Sequence, residues 1–297
     1  LRIVNIPTIL HDGNTYMHLA AQCGQPDVFE KIIIEEENKN AKNHRGETPF
    51  LVACRKGQLN IALILVKKAD ELQIDLNSKD NNGWTAFNIA CWKGNSEIAE
   101  MLMNNSSELK INLNSKDESG MTAFHMACMK GHSKIAEMIM EKSSELKIDL
   151  NVKGKWGKTA FHLVCCNGCS VIAEQILKKS SELKIDLNHK NTNYGWTAFH
   201  AACYRGHSEI AEMIMKKSSE LKINLKNKDR YGYTAFHLAC QNGHIRIVDM
   251  MIEQSNSLEL DLKAEDSDGQ TGYQRAQAYR ETDVVNLIQT KMPSLVV

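Results

Sequence analysis

The stretch GMTAFHMACMKGHSKIAEMIMEKSSELKIDLN, residues 120–151, decides the fold of this 297-residue chain. Its opening block, glycine-x-threonine followed by a short apolar run, recurs eight times along the sequence. The blocks begin at Gly13, Gly46, Gly83, Gly120, Gly157, Gly195, Gly232 and Gly269. Their threonines are separated by 33, 37, 37, 37, 38, 37 and 37 residues. A nearly constant period of this length predicts an array of stacked supersecondary units.

Each unit can be interpreted from residues 120–151. Gly120 suits a turn that needs a positive φ angle, and Thr122 suits the N-cap of a short helix over 123–129. Gly131 suits the left-handed position that ends this helix, and Ser133 is predicted to cap a second helix. An apolar stripe follows at helical spacing. The unit is therefore predicted to contain a turn, a helix, a loop, a second helix and an extended link. The stripe consists of Ile135, Met138 and Ile139.

These units resemble the ankyrin repeat over almost the whole chain. The T-P-L-H block of that family is matched best by Thr48-Pro49-Phe50, and it appears as T-A-F-H in four other units. The family's Gly-His pair is matched by Gly131-His132, and its D-V-N ending by Asp149-Leu150-Asn151. The resemblance implies an all-α ankyrin-repeat solenoid of stacked helix-turn-helix units.

The period divides the chain into a short leading segment and eight units. Residues 1–9 are expected to be a cap or the remnant of an earlier repeat, and the last unit is expected to cap the array. The boundaries fall at 10–42, 43–79, 80–116, 117–153, 154–191, 192–228, 229–265 and 266–297.

The phrase S-S-E-L-K-I distinguishes these repeats from their relatives. Ankyrin repeats usually run for 33 residues, whereas most units here run for 37. Four residues correspond to about one turn of α-helix. We therefore expect the second helix to be one turn longer in units two to seven, with Leu146 and Ile148 packing against neighbouring units. The phrase carries no specific chemistry in this interpretation.

Two residue types recur at fixed positions and are interpreted as structural. His18, His125, His162, His200 and His237 occupy the T-x-x-H position, and each is expected to hydrogen-bond to its own turn. Cys54, Cys91, Cys128, Cys165, Cys203 and Cys240 occupy one position late in the first helix. Stacked helices lie about 8–10 Å apart, whereas a disulfide needs Cα atoms within about 7 Å. These cysteines are therefore expected to be small buried thiols without disulfides.

No catalytic or metal site is predicted. Cys166 and Cys169 have a spacing that zinc sites use, but structural zinc needs four ligands and no second C-x-x-C occurs. Phosphate-binding glycine loops and nucleophile elbows are missing from the sequence. We therefore expect neither an enzyme nor a cofactor.

Composition narrows the remaining classes. Lys+Arg and Asp+Glu both number 36, so bulk charge gives no support for nonspecific nucleic-acid or membrane binding. No apolar run is long enough to span a bilayer. The chain begins at Leu1 and shows no secretory leader, which favours a region of a longer protein. Nine cysteines, an odd number, favour a reducing compartment, cytoplasmic or nuclear.

The positions that vary between units point to a binding surface. In ankyrin proteins the turn tips and the exposed end of the first helix face the partner, and all four tryptophans of this chain fall there. The exposed first-helix positions also hold Arg55, Lys56, Lys93, Lys130 and Arg205 and no acidic residue, so this face is expected to be locally positive. Tryptophan, tyrosine and arginine are the usual anchors of protein interfaces. The predicted partner-binding residues are Trp84, Trp92, Lys93, Met121, Met129, Lys130, Trp156, Tyr194, Trp196, Tyr204, Arg205, Tyr231 and Tyr233.

The leading hypothesis is a monomeric, non-enzymatic scaffold that binds another protein in the hollow of the array, where the cations match an acidic or phosphorylated segment of the partner. Single-stranded nucleic acid is an alternative, because aromatic rings with cations also suit bases and phosphates; zero net charge counts against it. A third alternative is the ankyrin segment of a channel, kinase or toxin whose activity lies outside these residues.

Overall fold

A computed structural model describes residues 11–296. This part forms sixteen α-helices, three short 3₁₀ turns and no β-strand, so the all-α repeat fold is confirmed. The expectation for residues 1–9 lies outside the described residues. The helices are α1 (Tyr16–Cys23), α2 (Pro26–Glu35), α3 (Pro49–Lys56), α4 (Leu59–Lys67), α5 (Ala86–Lys93), α6 (Ser96–Asn104), α7 (Ala123–Lys130), α8 (Ser133–Lys142), α9 (Ala160–Asn167), α10 (Ser170–Lys179), α11 (Ala198–Arg205), α12 (Ser208–Lys217), α13 (Ala235–Gln241), α14 (Ile245–Glu253), α15 (Gly272–Ala278) and α16 (Thr282–Lys291).

The chain divides into two compact units between Asp149 and Leu150, here called the N-terminal and C-terminal units. Within each unit, odd-numbered first helices pack against one another and even-numbered second helices do the same. Thus α1, α3, α5 and α7 form one layer of the N-terminal unit, and α9, α11, α13 and α15 form the corresponding layer of the C-terminal unit. Each repeat therefore buries its apolar residues against its neighbour, as stacked repeats require.

A threonine-histidine pair starts the first helix of five repeats, and in four of them the structure shows the histidine bonded to the next repeat. The backbone N–H of Thr15 donates to Nδ1 of His18 over 3.0 Å, which places the imidazole proton on Nε2. Nε2 then donates to the backbone oxygen of Glu47 over 2.8 Å. His162, His200 and His237 likewise bond to backbone oxygens of the following repeat, at 2.9, 3.3 and 3.0 Å. The structural role of this histidine position is confirmed.

Burial keeps these histidines neutral. Loss of solvation lowers the pKa of His162 and of His200 to about 4, because a charged imidazolium is disfavoured away from water. The charged or titratable groups near them are His189 and Lys158 around His162, and Asp229 and Lys190 around His200.

The recurring cysteines lie in the core. All six side chains at this position are buried, and burial raises the pKa of the Cys54 and Cys91 thiols well above the usual range. The expectation of small buried thiols is confirmed. That they form no disulfide remains a prediction for thiol counting.

The S-S-E-L insert corrects one expectation. Helix α8 ends at Lys142 and a separate turn follows, so the second helix is not lengthened. The second helices α4, α6, α8, α10, α12 and α14 contain nine or ten residues, no more than α2. The hydroxyl of Ser143 donates to the backbone oxygen of Met140, and the N–H of Ile148 donates to the oxygen of Ser143 over 2.8 Å. Lys147, with φ 53°, closes the turn in the left-handed region. Ile148 is buried as expected, and Leu146 is half-buried.

The structure also contradicts the expectation that Ser133 caps the second helix. Ser133 is the first residue of α8 and not its cap, since His132 occupies the N-cap and makes no side-chain capping bond there. The imidazole Nε2 of His132 instead bonds to the backbone oxygen of Trp92 over 3.1 Å. The Gly-His pair thus connects consecutive repeats.

Asparagine amides link each insert to the next. The Nδ2 of Asn77 donates to the oxygen of Lys110, and its Oδ1 accepts from the N–H of Asn112. Both partners are main-chain atoms of the following repeat. This pairing explains the D-L-N ending of the units. The same pair of bonds is made by Asn40, Asn114, Asn151 and Asn188.

Candidate functional site

The predicted binding residues separate into two groups. Six belong to the N-terminal unit and seven to the C-terminal unit. Two repeat positions hold an aromatic side chain in both units: Trp84 and Trp196 follow the turn glycine, and Trp92 and Tyr204 are the penultimate residues of their first helices. Tyr233 also follows a turn glycine, whereas Trp156, Tyr194 and Tyr231 precede one.

In the N-terminal unit, Trp84 and Trp92 form what we call the tryptophan pair. Their ring centroids are 5.1 Å apart, and both rings are half-buried. The Lys130 ammonium lies 3.9 Å from the centroid of Trp92, a cation–π contact. The indole N–H of Trp84 donates to Oδ2 of Asp117 over 3.3 Å. The pair is therefore already covered by side chains of its own unit.

The other predicted residues of this unit are less engaged with the pair. Met121 and Met129 hold the same two positions one repeat later and are half-buried, while Lys93 is exposed.

Arg55 contradicts the expectation of unopposed cations. It forms ion pairs with Glu47 and Asp80, which neutralise its charge. The N-terminal unit is consequently less positive on this face than the sequence indicates.

In the C-terminal unit, aromatic rings line a groove of about 340 Å³, here called the aromatic groove. Trp196 stands at its centre, with the ring of Tyr194 at 5.1 Å and that of Tyr204 at 4.8 Å between centroids. Tyr231 and Tyr233 form a second pair at 6.4 Å. The exposed side chains of Tyr194 and Tyr231, 42% and 56% accessible, leave apolar surface open to solvent.

Asp229 organises these rings. Its Oδ2 accepts from the indole N–H of Trp196 over 2.8 Å, and its Oδ1 accepts from the backbone N–H groups of Tyr231 and Tyr233. The carboxylate therefore belongs to the structure of the turn. The sequence carries a signal for it in the recurring aspartate three residues before the turn glycine.

Arg205 provides a cation beside these rings. Its guanidinium carbon lies 5.6 Å from the ring of Tyr204, and the side chain is exposed. Within residues 11–296, no carboxylate forms an ion pair with it, in contrast to Arg55. A charged group at the edge of the groove thus faces solvent.

Family models match most of the chain. The model described as ankyrin repeats (3 copies) matches residues 17–114, 71–153, 108–185 and 145–227, and a single ankyrin repeat model matches 231–260. The chain belongs to the ankyrin repeat family. Ankyrin repeats are generally protein–protein interaction modules, and proteins built from them are typically non-enzymatic binding scaffolds. A search of curated proteins found no significant match.

The last helix pair of this ankyrin repeat protein, α15 and α16, lies beyond the matched residues. It retains the threonine N-cap at Thr271, with Gln274 in the place of the histidine. The side chain of Gln274 accepts from the N–H of Thr271 over 2.8 Å. This last, divergent repeat therefore keeps its capped first helix although glutamine replaces the histidine.

Two further residues refine the site on the ankyrin array. Trp156 is 53% exposed, contacts Lys155 and Lys158 at 4.6 and 5.6 Å, and does not line the aromatic groove. Gln241 does line it, at the repeat position that Tyr204 holds one repeat earlier. The Oε1 atom of Gln241 is shielded from solvent and receives no hydrogen bond from any residue that the structure describes.

In the described part of the chain, no three His, Cys, Asp or Glu side chains come together as a metal site. Cys166 lines the groove, and Cys169 is the N-cap of α10. None of the helices described is long and apolar enough to cross a membrane.

Proposed function

We propose that this ankyrin repeat protein is a non-enzymatic scaffold that binds a partner protein through its first helices and turn tips, the face that is concave in ankyrin proteins. One observation carries the proposal: aromatic rings of two consecutive repeats pack around an open groove in the C-terminal unit. Burying a large apolar side chain stabilises a complex by about 1.5–3 kcal/mol. A partner would complete the burial of Tyr194 and Tyr231.

The charges favour an acidic or phosphorylated partner segment. Arg205 has no acidic partner among the described residues, and Lys93 is exposed on the corresponding face of the N-terminal unit. Such rim charges mainly accelerate association, whereas aromatic anchors slow dissociation. Replacing Lys93 and Arg205 together by Glu should slow association, most visibly at low salt.

The test uses the folded chain as bait for its cellular partner. The variant Trp196→Ala/Tyr204→Ala removes the centre of the groove. Trp156→Ala is the matched control, since it removes an exposed tryptophan outside the groove. Thermal melting establishes that both variants are folded.

We expect the groove variant to lose the partner and the control to retain it. Equal capture by both variants, or a footprint on the second helices, would overturn the proposal. RNA recovered with the bait, with affinity falling steeply as salt rises, would favour the nucleic-acid alternative.

We also propose a reducing compartment, cytoplasmic or nuclear, for this scaffold. The six core thiols are small side chains packed between helices and need no oxidation to stabilise the fold. Thiol counting on protein denatured without reductant should find all six free. A shortfall at these positions would refute the assignment.

A further inference from the structure

We infer that three turn tips of the C-terminal unit form a second binding site, which takes a proline-rich protein segment in the polyproline II conformation. The site consists of Trp156, Tyr194 and Tyr231, here called the tip row. It goes beyond the proposed function, because Trp156 lies outside the aromatic groove and the row does not use the centre of that groove, Trp196. Three observations carry the inference: the exposure of the rings, the spacing of the tips and the hydrogen-bond donors of the side chains.

Each ring of the tip row stands immediately before a turn glycine, in three consecutive repeats. The side chains of Trp156, Tyr194 and Tyr231 are 53%, 42% and 56% exposed. Exposed aromatic rings that are grouped at neighbouring tips indicate an interaction surface. The other five repeats hold polar residues at this position, namely Asp12, Arg45, Asn82, Ser119 and Asp268.

Trp156 occupies its position against a conformational cost. Its φ of 58° and ψ of 28° lie in the left-handed region, which disfavours most side chains and is tolerated best by glycine, asparagine and aspartate. In the first repeat an aspartate, Asp12, holds the same position at φ 64°. Strained backbone of this kind is concentrated at functional positions. The turn of the fifth repeat therefore presents an indole where a small polar residue would be more stable.

Main-chain hydrogen bonds set the spacing of the tips. The backbone oxygen of Trp156 accepts from the N–H of Thr192 over 2.8 Å, and that of Tyr194 accepts from the N–H of Arg230 over 2.9 Å. A main-chain bond of 2.8 or 2.9 Å also joins the two limbs of each tip. Equivalent residues of consecutive tips are therefore two hydrogen-bonded spacings apart, which is about 9.6 Å.

A polyproline II helix repeats at nearly the same distance. It turns once in three residues and rises about 3.1 Å per residue, so residues three positions apart lie on one edge, about 9.3 Å from each other. A β-strand presents every second residue to one face, at a spacing of about 6.6 Å, and does not match the tips. Prolines at every third position would therefore each meet one ring of the tip row.

The polar atoms of the tip row can all donate hydrogen bonds. The indole N–H of Trp156 and the hydroxyls of Tyr194 and Tyr231 bond to no other residue within 11–296. A polyproline II segment has carbonyls free of internal bonds, and proline itself has no N–H. An α-helix uses its carbonyls internally and would leave these donors without partners. Donors between exposed rings are therefore complementary to a proline-rich segment, which other domains bind through aromatic-lined surfaces.

The experiment titrates the full chain with a fluorescein-labelled ten-residue peptide that has proline at every third position and glutamine elsewhere. The comparison peptide has the same composition, with its prolines at every second position. Fluorescence anisotropy measures both affinities. We expect the period-three peptide to bind about tenfold more tightly, because only its prolines match the tips.

Three variants test the contacts. Trp156→Asn removes the indole, and asparagine tolerates the left-handed φ, so this variant should melt no lower than the parent yet bind about tenfold more weakly. Tyr231→Phe removes only a hydroxyl and should bind about fivefold more weakly. Tyr279→Ala is the control, since Tyr279 is 52% exposed in the same unit but lies outside the tip row. It should bind like the parent.

Several results would overturn the inference. These are no binding of the period-three peptide, equal binding of the two peptides, or unchanged affinity in both Trp156→Asn and Tyr231→Phe. Displacement of the peptide by single-stranded oligothymidine, with an affinity that falls steeply as salt rises, would instead assign the tip row to nucleic acid. Each of these results would leave the proposed function intact, because that function is tested through Trp196 and Tyr204 with the cellular partner.

Discussion

The tryptophan pair of the N-terminal unit and the aromatic groove of the C-terminal unit use the same template. Trp84 and Trp92 occupy the repeat positions that Trp196 and Tyr204 occupy later, and the centroid distances, 5.1 and 4.8 Å, are similar. In both places an aspartate of the following turn accepts the indole N–H. The repeat therefore determines where aromatic rings meet.

The neighbours determine whether those rings are available. Lys130 lies over Trp92, and the guanidinium of Arg55, 5.9 Å from the ring of Trp84, is held by two carboxylates. In the C-terminal unit, Arg205 extends beside Tyr204 into solvent. The comparison teaches that the two clusters differ in what surrounds the shared positions: Arg55 is ion-paired, whereas the C-terminal unit adds the exposed rings of Tyr194 and Tyr231.

The largest predicted effect should appear in acid, where repeats that contain the buried histidine should lose more stability than repeats that lack it. The folded-state pKa of His162 and His200 is about 4, below the ordinary value of about 6.5, so the unfolded chain binds protons first as pH falls. Stability is complete above about pH 6.5 and decreases towards pH 4. At pH 5 each histidine should cost about 2 kcal/mol. Hydrogen exchange at pH 7 and 5, corrected for intrinsic rates, should show greater loss of protection in α9 and α11 than in α3 and α5.

The third repeat, in the N-terminal unit, provides the control for this experiment. In that repeat Asn88 replaces the histidine, and its Oδ1 accepts from the backbone N–H of Thr85. His200→Asn should therefore fold at pH 7 and recover about 2 kcal/mol of the loss at pH 5. An unchanged pH dependence in this variant would contradict the assignment.

The second prediction concerns partner binding. Trp196→Ala should weaken binding by about 2 kcal/mol or more, as expected for a central aromatic anchor. Trp92→Ala should cost less than about 1 kcal/mol, because its ring already contacts Lys130. Calorimetric titration of the captured partner measures both. Equal losses would show that the covered cluster is also an anchor, as the sequence alone predicts.

The third prediction compares the turns of the fourth and fifth repeats, residues 117–153 and 154–191. Asp117 accepts from the N–H groups of Ser119 and Met121, each at 2.8 Å, whereas Gly154 stands at the corresponding position with no side chain. Gly154 has φ −87°, which aspartate readily adopts. Gly154→Asp should raise the free energy of unfolding by about 1 kcal/mol, measured by urea denaturation. Asp117→Gly should lower it by a similar amount, and a loss of stability in Gly154→Asp would refute this reading.

The smallest predicted effect concerns the left-handed lysines of the insert turns, and it should be equal in the N-terminal and C-terminal units. Lys110 and Lys184 close their insert turns at φ 52°, a conformation that costs non-glycine residues about 1–2 kcal/mol. Glycine relieves this cost but gains entropy in the unfolded chain, so each Lys→Gly variant should be stabilised by about 0.5 kcal/mol. Lys116→Gly, at an exposed position without positive φ, is the control and should be slightly destabilised. Chemical denaturation of the three variants measures their free energies of unfolding and tests this prediction.

The local structure of each repeat could be predicted because it depends on nearby residues. Thr122 caps its helix and Gly131 ends it at φ 75°, both through contacts within a few positions. The second helix was predicted too long for an instructive reason. A count of inserted residues indicates a helical turn, but the Ser143 hydroxyl and the left-handed Lys147 close that turn separately.

The candidate site was harder to predict because it depends on partners one repeat away. The sequence located the aromatic positions correctly, but the neutralisation of Arg55 requires Asp80, which is 25 residues distant. The bond from Trp196 to Asp229 spans 33 residues. Gln241 holds the repeat position of Tyr204, but only its three-dimensional neighbourhood shows that its oxygen lacks a donor. Periodicity specifies positions, whereas charge balance and accessibility come from the register between repeats.

The asparagine bridges have a consequence for how this protein can change. Asn77 reads only main-chain atoms of the next insert, and so does Asn40, even though the residues whose oxygens they hold are Lys110 and Gln73. Because these bonds involve no side chain of the next repeat, any repeat with the same backbone conformation can form them. Whole repeats could therefore be gained, lost or exchanged by recombination without redesigning the junction, which leaves the groove-lining positions free to diverge towards new partners.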